Sequence, residues 1–138
     1  MSPLLTSVVN AIDNGSRLKA NPWKLKIRNF FDDIEEARDL FSNLMHTVGT
    51  NIAIIPSASY GVQTAAKNLQ ISAGSKILVL SDQFPSNVYP WRRIAKQKGA
   101  EIKTVNVPDG EAATDHIIDA LDERFSVCAT ANVLWTNG

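Results

Sequence analysis

Lys76-Ile77-Leu78-Val79-Leu80-Ser81-Asp82-Gln83-Phe84-Pro85-Ser86-Asn87-Val88-Tyr89-Pro90-Trp91 opens as a short apolar run, passes through a polar loop and enters a helix. A strand buried on one face alternates apolar and polar residues. The unbroken run Ile77 to Leu80 therefore predicts burial on both faces, the habit of a strand inside a parallel sheet. The helix is expected over Val88 to Lys98, with Trp91, Ile94 and Ala95 turned inward and Pro90 in the first turn, where a missing N–H is tolerated. Ser86 is expected to cap it.

Working outward, Asn51 to Pro56, Glu101 to Val107 and Val127 to Val133 also read as strands. Helical spacing lies between them at Val62 to Leu69, with Val62, Ala65, Ala66 and Leu69 on one face, and at Glu111 to Leu121, with Ile117, Ile118 and Leu121. Strand, helix, strand, repeated three times at a spacing of about 25 residues, is the sequence form of right-handed βαβ crossovers. The expected fold class is α/β, a parallel-sheet βαβαβαβ portion over residues 49–138. Two helices precede it in a helical segment over residues 1–48. The first runs from Pro3 to Ile12, ending at Asn14-Gly15, and the second begins at Asp32-Asp33 and carries Ile34, Ala37, Phe41, Leu44 and Met45. The acidic pair suits the positive end of a helix dipole. No linker or repeat interrupts the chain, so residues 1–138 read as one domain.

The chain has 138 residues, 44% hydrophobic and 20% charged, with Lys+Arg 14 against Asp+Glu 14 and a formal net charge of zero. Nucleic-acid binding needs clustered basic excess, so none is expected. The apolar runs fall far short of the roughly 20 residues that span a bilayer, so no membrane partner is expected either. No leader is legible in Met1-Ser2-Pro3-Leu4-Leu5-Thr6, and the single Cys128 has no partner for an internal disulfide, which makes a reducing cytoplasm the expected compartment. His46 and His116 lack partners at ligand spacing, so no metal site is expected. Cys128, in an apolar strand, reads as buried and structural.

Ligands of open parallel sheets bind beyond the carboxyl ends of the strands. Three loops there carry unusual residues. Pro56-Ser57-Ala58-Ser59-Tyr60-Gly61 leads into a helix through small hydroxyl residues, offering amides and hydroxyls to a phosphate, or simply an N-cap. It is neither a GxGxxG nor a Walker sequence. Asp82 to Trp91 places Phe84 just past a strand, able to stack on a planar ligand or to pack in a core. Asn132-Val133-Leu134-Trp135-Thr136-Asn137-Gly138 contributes Trp135, for which packing is the simpler reading.

Together, Ile55-Pro56-Ser57-Ala58-Ser59-Tyr60-Gly61-Val62, Asp82 to Trp91 and Leu134-Trp135-Thr136-Asn137-Gly138 resemble, in order and spacing, the class V aminotransferase and cysteine desulfurase family of pyridoxal-phosphate enzymes. The stretch Phe30-Phe31 through Phe41 resembles the region before the family's first sheet strand. The resemblance implies part of the large domain of the PLP-dependent transferase fold, with pyridoxal 5'-phosphate as cofactor. Its phosphate would fall on Ala58 and Ser59 and its ring against Phe84. The family's desulfurase branch carries His at that ring position, and Phe has no nitrogen for proton transfer. The resemblance therefore points to an aminotransferase or lyase-like relative. Where many relatives use an Asn on the cofactor's ring oxygen, the nearest equivalent here is Trp135.

The family's Schiff-base lysine and the aspartate that pairs with its cofactor's ring nitrogen fall beyond the Trp-Thr-Asn-Gly region, and the last lysine here is Lys103. The expectation is therefore an incomplete domain, an N-terminal fragment with no catalytic residue of its own and no turnover alone. It would be completed by a companion chain or in a homodimer, and in the complete enzyme it would act on a small-molecule amino-group substrate. In the family's seven-stranded sheet, the strand at Asn51 to Pro56 would be separated from the other three. The alternative is a non-catalytic phosphate-ligand or protein-interaction α/β module.

Overall fold

The structure is a computed structural model and describes residues 3–136; Asn137 and Gly138, the end of the third loop motif, lie outside the described residues. The chain divides into two compact units, Met1–Ile54 and Ile55–Gly138.

In the first unit, α1 (Thr6–Lys19) and α2 (Asp32–Leu44) are linked through short 3-10 turns at Pro22–Lys24 and Ile27–Phe30. α1 does not stop at Asn14-Gly15. A helical glycine costs only about 1 kcal/mol, and Asp13 continues the helix by holding Arg17 at 2.9 Å while its carbonyl accepts the Ser16 hydroxyl at 2.8 Å. α2 starts where expected, with Asp32, Asp33 and Glu35 in its first turn. Arg38, paired with Glu35 at 2.7 Å, donates through Nε to the Ile52 carbonyl at 2.8 Å and so ties the end of the Gly49–Asn51 turn to α2. The apolar stripes Leu5, Val8, Val9, Ile12 and Ile34, Phe41, Leu44 are exposed.

The expected strand over Asn51 to Pro56 is not formed. A 3-10 turn occupies Gly49–Asn51, and residues 52–56 join no ladder among the described residues. The segment has the apolar composition of a strand, but a strand exists only with a neighbour to take its hydrogen bonds. The βαβαβαβ expectation is thereby corrected to α3 (Ala58–Asn68), β1 (Lys76–Leu80), α4 (Tyr89–Lys98), β2 (Glu101–Val105), α5 (Ala113–Ala120) and β3 (Phe125–Ala129).

The three strands are parallel in the order β2-β1-β3. β1 is central, and its residues Ile77 to Leu80 are buried on both faces, as the unbroken apolar run implies. Ile77 and Val79 meet Ala66 of α3 and Trp91, Ile94 and Ala95 of α4 on one face. Leu78 and Leu80 meet Val105, with Ile117 and Ala120 of α5, on the other. The chain moves from β1 to β2 by way of α4, then returns past β1 to β3 by way of α5. The direction of winding thus reverses beside β1, the place where open parallel sheets take their ligands. Gly99 ends α4 at φ +71, a left-handed position that glycine adopts without strain.

β3 begins two residues earlier than the sequence suggests, because the Lys76 amide already donates to the Arg124 carbonyl at 2.8 Å. Cys128 is exposed rather than buried: it pairs with Leu78 at the sheet's edge, where no further described strand covers it. No helix among the described residues is long and apolar enough to cross a membrane.

At the amino end of the sheet, Asp122 accepts from Lys76 at 2.8 Å and from Arg124 at 3.1 Å. The Lys76 ammonium first, and then Arg124, hold its carboxyl well below the usual carboxylate range. A lowered native pKa means the unfolded chain binds the proton more tightly, so this contribution is present above about pH 4 and fades as pH falls further. Asp122→Asn is expected to lower stability at neutral pH and flatten its fall below about pH 4, read from thermal melts across that range. Parallel curves for variant and parent would contradict it.

Candidate cofactor-binding site

The loop into α3 is built by capping. Ser57 is extended, at φ -166 and ψ 158, and its Oγ accepts from the Tyr60 amide at 3.2 Å. This leaves Ala58 and Ser59 as the first two helical residues, whose amides have no intrahelical carbonyl to reach. Their N–H groups lie at the positive end of an eleven-residue helix, where negative charge is favoured. The Ser59 hydroxyl is bonded to that of Ser86 at 2.7 Å. The expected Ser86 cap on α4 is absent, since α4 has no side-chain cap; Ser86 joins the two loops instead.

The loop after β1 is held from three sides. The Ser81 amide donates to the Val105 carbonyl at 2.8 Å, and its hydroxyl to Asn106 Oδ1 at 2.9 Å. Asp82 turns the chain at φ +54. Asn87 accepts the Trp91 indole N–H at 3.0 Å and directs its amide to Gln83 Oε1 at 3.3 Å and the Ala129 carbonyl at 3.4 Å, joining this loop to the end of β3. Gln83 is buried, and its Nε2 has no partner among the described residues.

Phe84 stands between these anchors and is 52% exposed, so it is not the core residue that its type would suggest. Its ring meets Trp135 edge-to-face, with centroids 5.6 Å apart and planes at 87°. The Trp135 indole N–H donates to the Asp82 carbonyl at 2.8 Å.

A cleft of about 750 Å³ runs along α3 and is lined by Ser57, Ser59, Tyr60, Lys67, Ser86 and Tyr89, among others. A smaller one, of about 360 Å³, lies past β1 against Ser81, Asp82, Gln83 and Arg92. Phe84 forms part of neither wall. The structure thus joins Ser59 to Ser86 and Phe84 to Trp135 by direct contact, and the three-residue stretch Phe84-Pro85-Ser86 connects the two pairs. The Gln83, Asn87 and Trp91 strut escapes sequence reasoning; its only available signal is an Asn four residues before a Trp.

A family model described as aminotransferase class-V matches residues 2–137. A probable cysteine desulfurase of Staphylococcus epidermidis is 32% identical over 95 residues, covering 67% of this chain and 22% of that protein. Isopenicillin N epimerase of Streptomyces clavuligerus is 23% identical over 127 residues, covering 89% and 32%. The solved complex between the cystine C-S lyase C-DES and its reaction product cysteine persulfide has the same fold, with a TM-score of 0.77 at 17% identity, covering 96% of this chain and 36% of that one. The chain spans between about a fifth and a third of the length of these curated relatives.

Proposed function

The chain belongs to the class-V aminotransferase family, and from that premise we propose that it forms the part of a pyridoxal-phosphate enzyme that holds the cofactor's phosphate and one face of its ring. The observation that carries the reading is the α3 terminus. Ser57 satisfies the Tyr60 amide and leaves those of Ala58 and Ser59 to an anion, with the Ser59 and Ser86 hydroxyls 2.7 Å apart beside them.

The donor set fits a phosphate: backbone N–H groups at a helix start and, of the two paired hydroxyls, the one whose hydrogen is not given to the other. Phe84 supplies an exposed aromatic face on the loop leaving β1, the strand beside which the sheet's winding reverses. It holds a flat ring by contact and accepts no proton. When bound, pyridoxal phosphate supplies an aldehyde for a substrate amino group and a ring that withdraws electrons. These residues fix where the ring lies, and any proton must move through other groups.

The two lysines of the sheet are poorly placed to hold the cofactor covalently. Lys76 begins β1, at the end opposite Phe84, and is paired with Asp122; Lys103 lies in mid-strand in β2. Lys67 lines the cleft along α3, which Phe84 does not border; with no lysine on the Phe84 side among the described residues of Ile55–Gly138, we assign the covalent anchor and turnover on an amino-acid substrate to further polypeptide, whether a continuation, a companion chain or a second copy. Exposed apolar stripes on α1 and α2 support such completion.

Pyridoxine 5'-phosphate tests the site without lysine adducts, because it lacks the aldehyde. Titration calorimetry is expected to show saturable one-to-one binding that inorganic phosphate competes away. Absence of saturable binding, or indifference to phosphate, would overturn the reading.

A further inference from the structure

We propose that Trp135 is a positioning residue for the cofactor ring: it clamps the turn that carries Phe84 and fixes the plane in which Phe84 presents its face. The inference rests on the proposed cofactor site but on separate contacts. Trp135 makes two of them at once. Its indole N–H holds the Asp82 carbonyl at 2.8 Å, and its ring meets Phe84 at 87° with centroids 5.6 Å apart.

The need for a clamp arises from the backbone. Asp82 sits at φ +54, a region that a residue with a side chain enters at a cost. The carbonyl that Trp135 grips belongs to this residue, two positions before Phe84. A half-exposed phenyl ring has several staggered rotamers open to it, and contacts from outside its own turn select among them. The segment that follows β3 supplies the restraint, reaching the loop that leaves β1 through Trp135. In an edge-to-face pair at most one ring offers its face to the other, so Phe84 keeps a face for a ligand while its plane is set. Phe84 is 52% exposed in this arrangement, as a stacking surface must be.

The test compares two ligands on two variants of the full chain. Trp135→Leu removes the ring contact and the N–H donor; Trp135→Phe keeps an aromatic edge and removes the donor only. Pyridoxine 5'-phosphate and inorganic phosphate share the phosphate and differ in the ring. For Trp135→Leu the affinity for pyridoxine 5'-phosphate is expected to fall roughly threefold to tenfold, the scale of an aromatic pair, with phosphate affinity unchanged and Trp135→Phe in between. Equal losses for both ligands, or no loss for either, would overturn the proposal.

A ligand-free readout separates this claim from the cofactor reading. The Phe84 ring protons are expected to carry a ring-current shift that Trp135→Leu abolishes. Should parent chain bind phosphate but not pyridoxine 5'-phosphate, the cofactor reading falls and the positioning role falls with it, even if the shift shows the contact is real. Should pyridoxine 5'-phosphate bind and the shift persist in Trp135→Leu, the clamp alone is overturned.

Discussion

Trp91→Ala is expected to destabilise the chain by about 3–5 kcal/mol, a large share of the roughly 5–15 kcal/mol that holds an ordinary domain folded. Trp91 is buried against Ile77, Val79 and Ile94, so truncation leaves a cavity in the face of the sheet that α4 covers. It also removes the donor at 3.0 Å from Asn87 Oδ1, and Asn87 is the residue that ties the loop after β1 to the end of β3. Trp91→Phe separates the two effects. It fills most of the cavity yet loses the same hydrogen bond, so it should restore most of the stability while leaving the loop looser. Urea unfolding followed by far-ultraviolet circular dichroism reads the difference, and a loss below about 1 kcal/mol for Trp91→Ala would show that Trp91 is not the packed residue described.

Ser59→Asp is expected to abolish phosphate and pyridoxine 5'-phosphate binding while leaving the fold intact. Two opposed electrostatic effects decide this. A carboxylate in the first turn of α3 interacts favourably with the helix dipole by about 0.3–1 kcal/mol, which offsets the loss of the exposed Ser59 to Ser86 hydrogen bond. The same carboxylate opposes a bound phosphate by about 4 kcal/mol per pair of unit charges at about 4 Å and an effective dielectric constant of about 20, enough for more than a hundredfold loss of affinity. Calorimetric titration beside a thermal melt separates these outcomes. Retained binding at unchanged stability would move the anion away from the α3 terminus.

The parts of this fold that are legible in sequence are those fixed by local pattern. Ile77 to Leu80 reads as a strand buried on both faces because no polar residue interrupts it, and β1 is indeed the central strand. That a serine of Pro56 to Gly61 could cap a helix is legible for the same reason, since capping chemistry is contained within four residues, and the structure assigns the cap to Ser57. What fails depends on partners distant in the chain. Residues 52–56 have the composition of a strand and no neighbour among the described strands to pair with. Cys128 lies in an apolar segment that proves to be the sheet's edge, so the same composition leaves it exposed. Ser86 has the local grammar of a cap, and its partner Ser59 is 27 residues away. Trp135 reaches Asp82 across 53 positions, a contact that no spacing rule reveals. In the site, the residue types are readable while their pairing is not, since Ser59 meets Ser86 and Trp135 meets Asp82 only where separate loops converge.

Amide chemical-shift mapping of the isotope-labelled chain during titration with pyridoxine 5'-phosphate decides whether the cofactor sits at the α3 terminus and against Phe84. Saturable shifts are expected, centred on the amides of Ala58, Ser59 and Tyr60 together with the ring signals of Phe84. Shifts that do not saturate, or that cluster away from the α3 terminus and leave Phe84 unmoved, would refute the cofactor site.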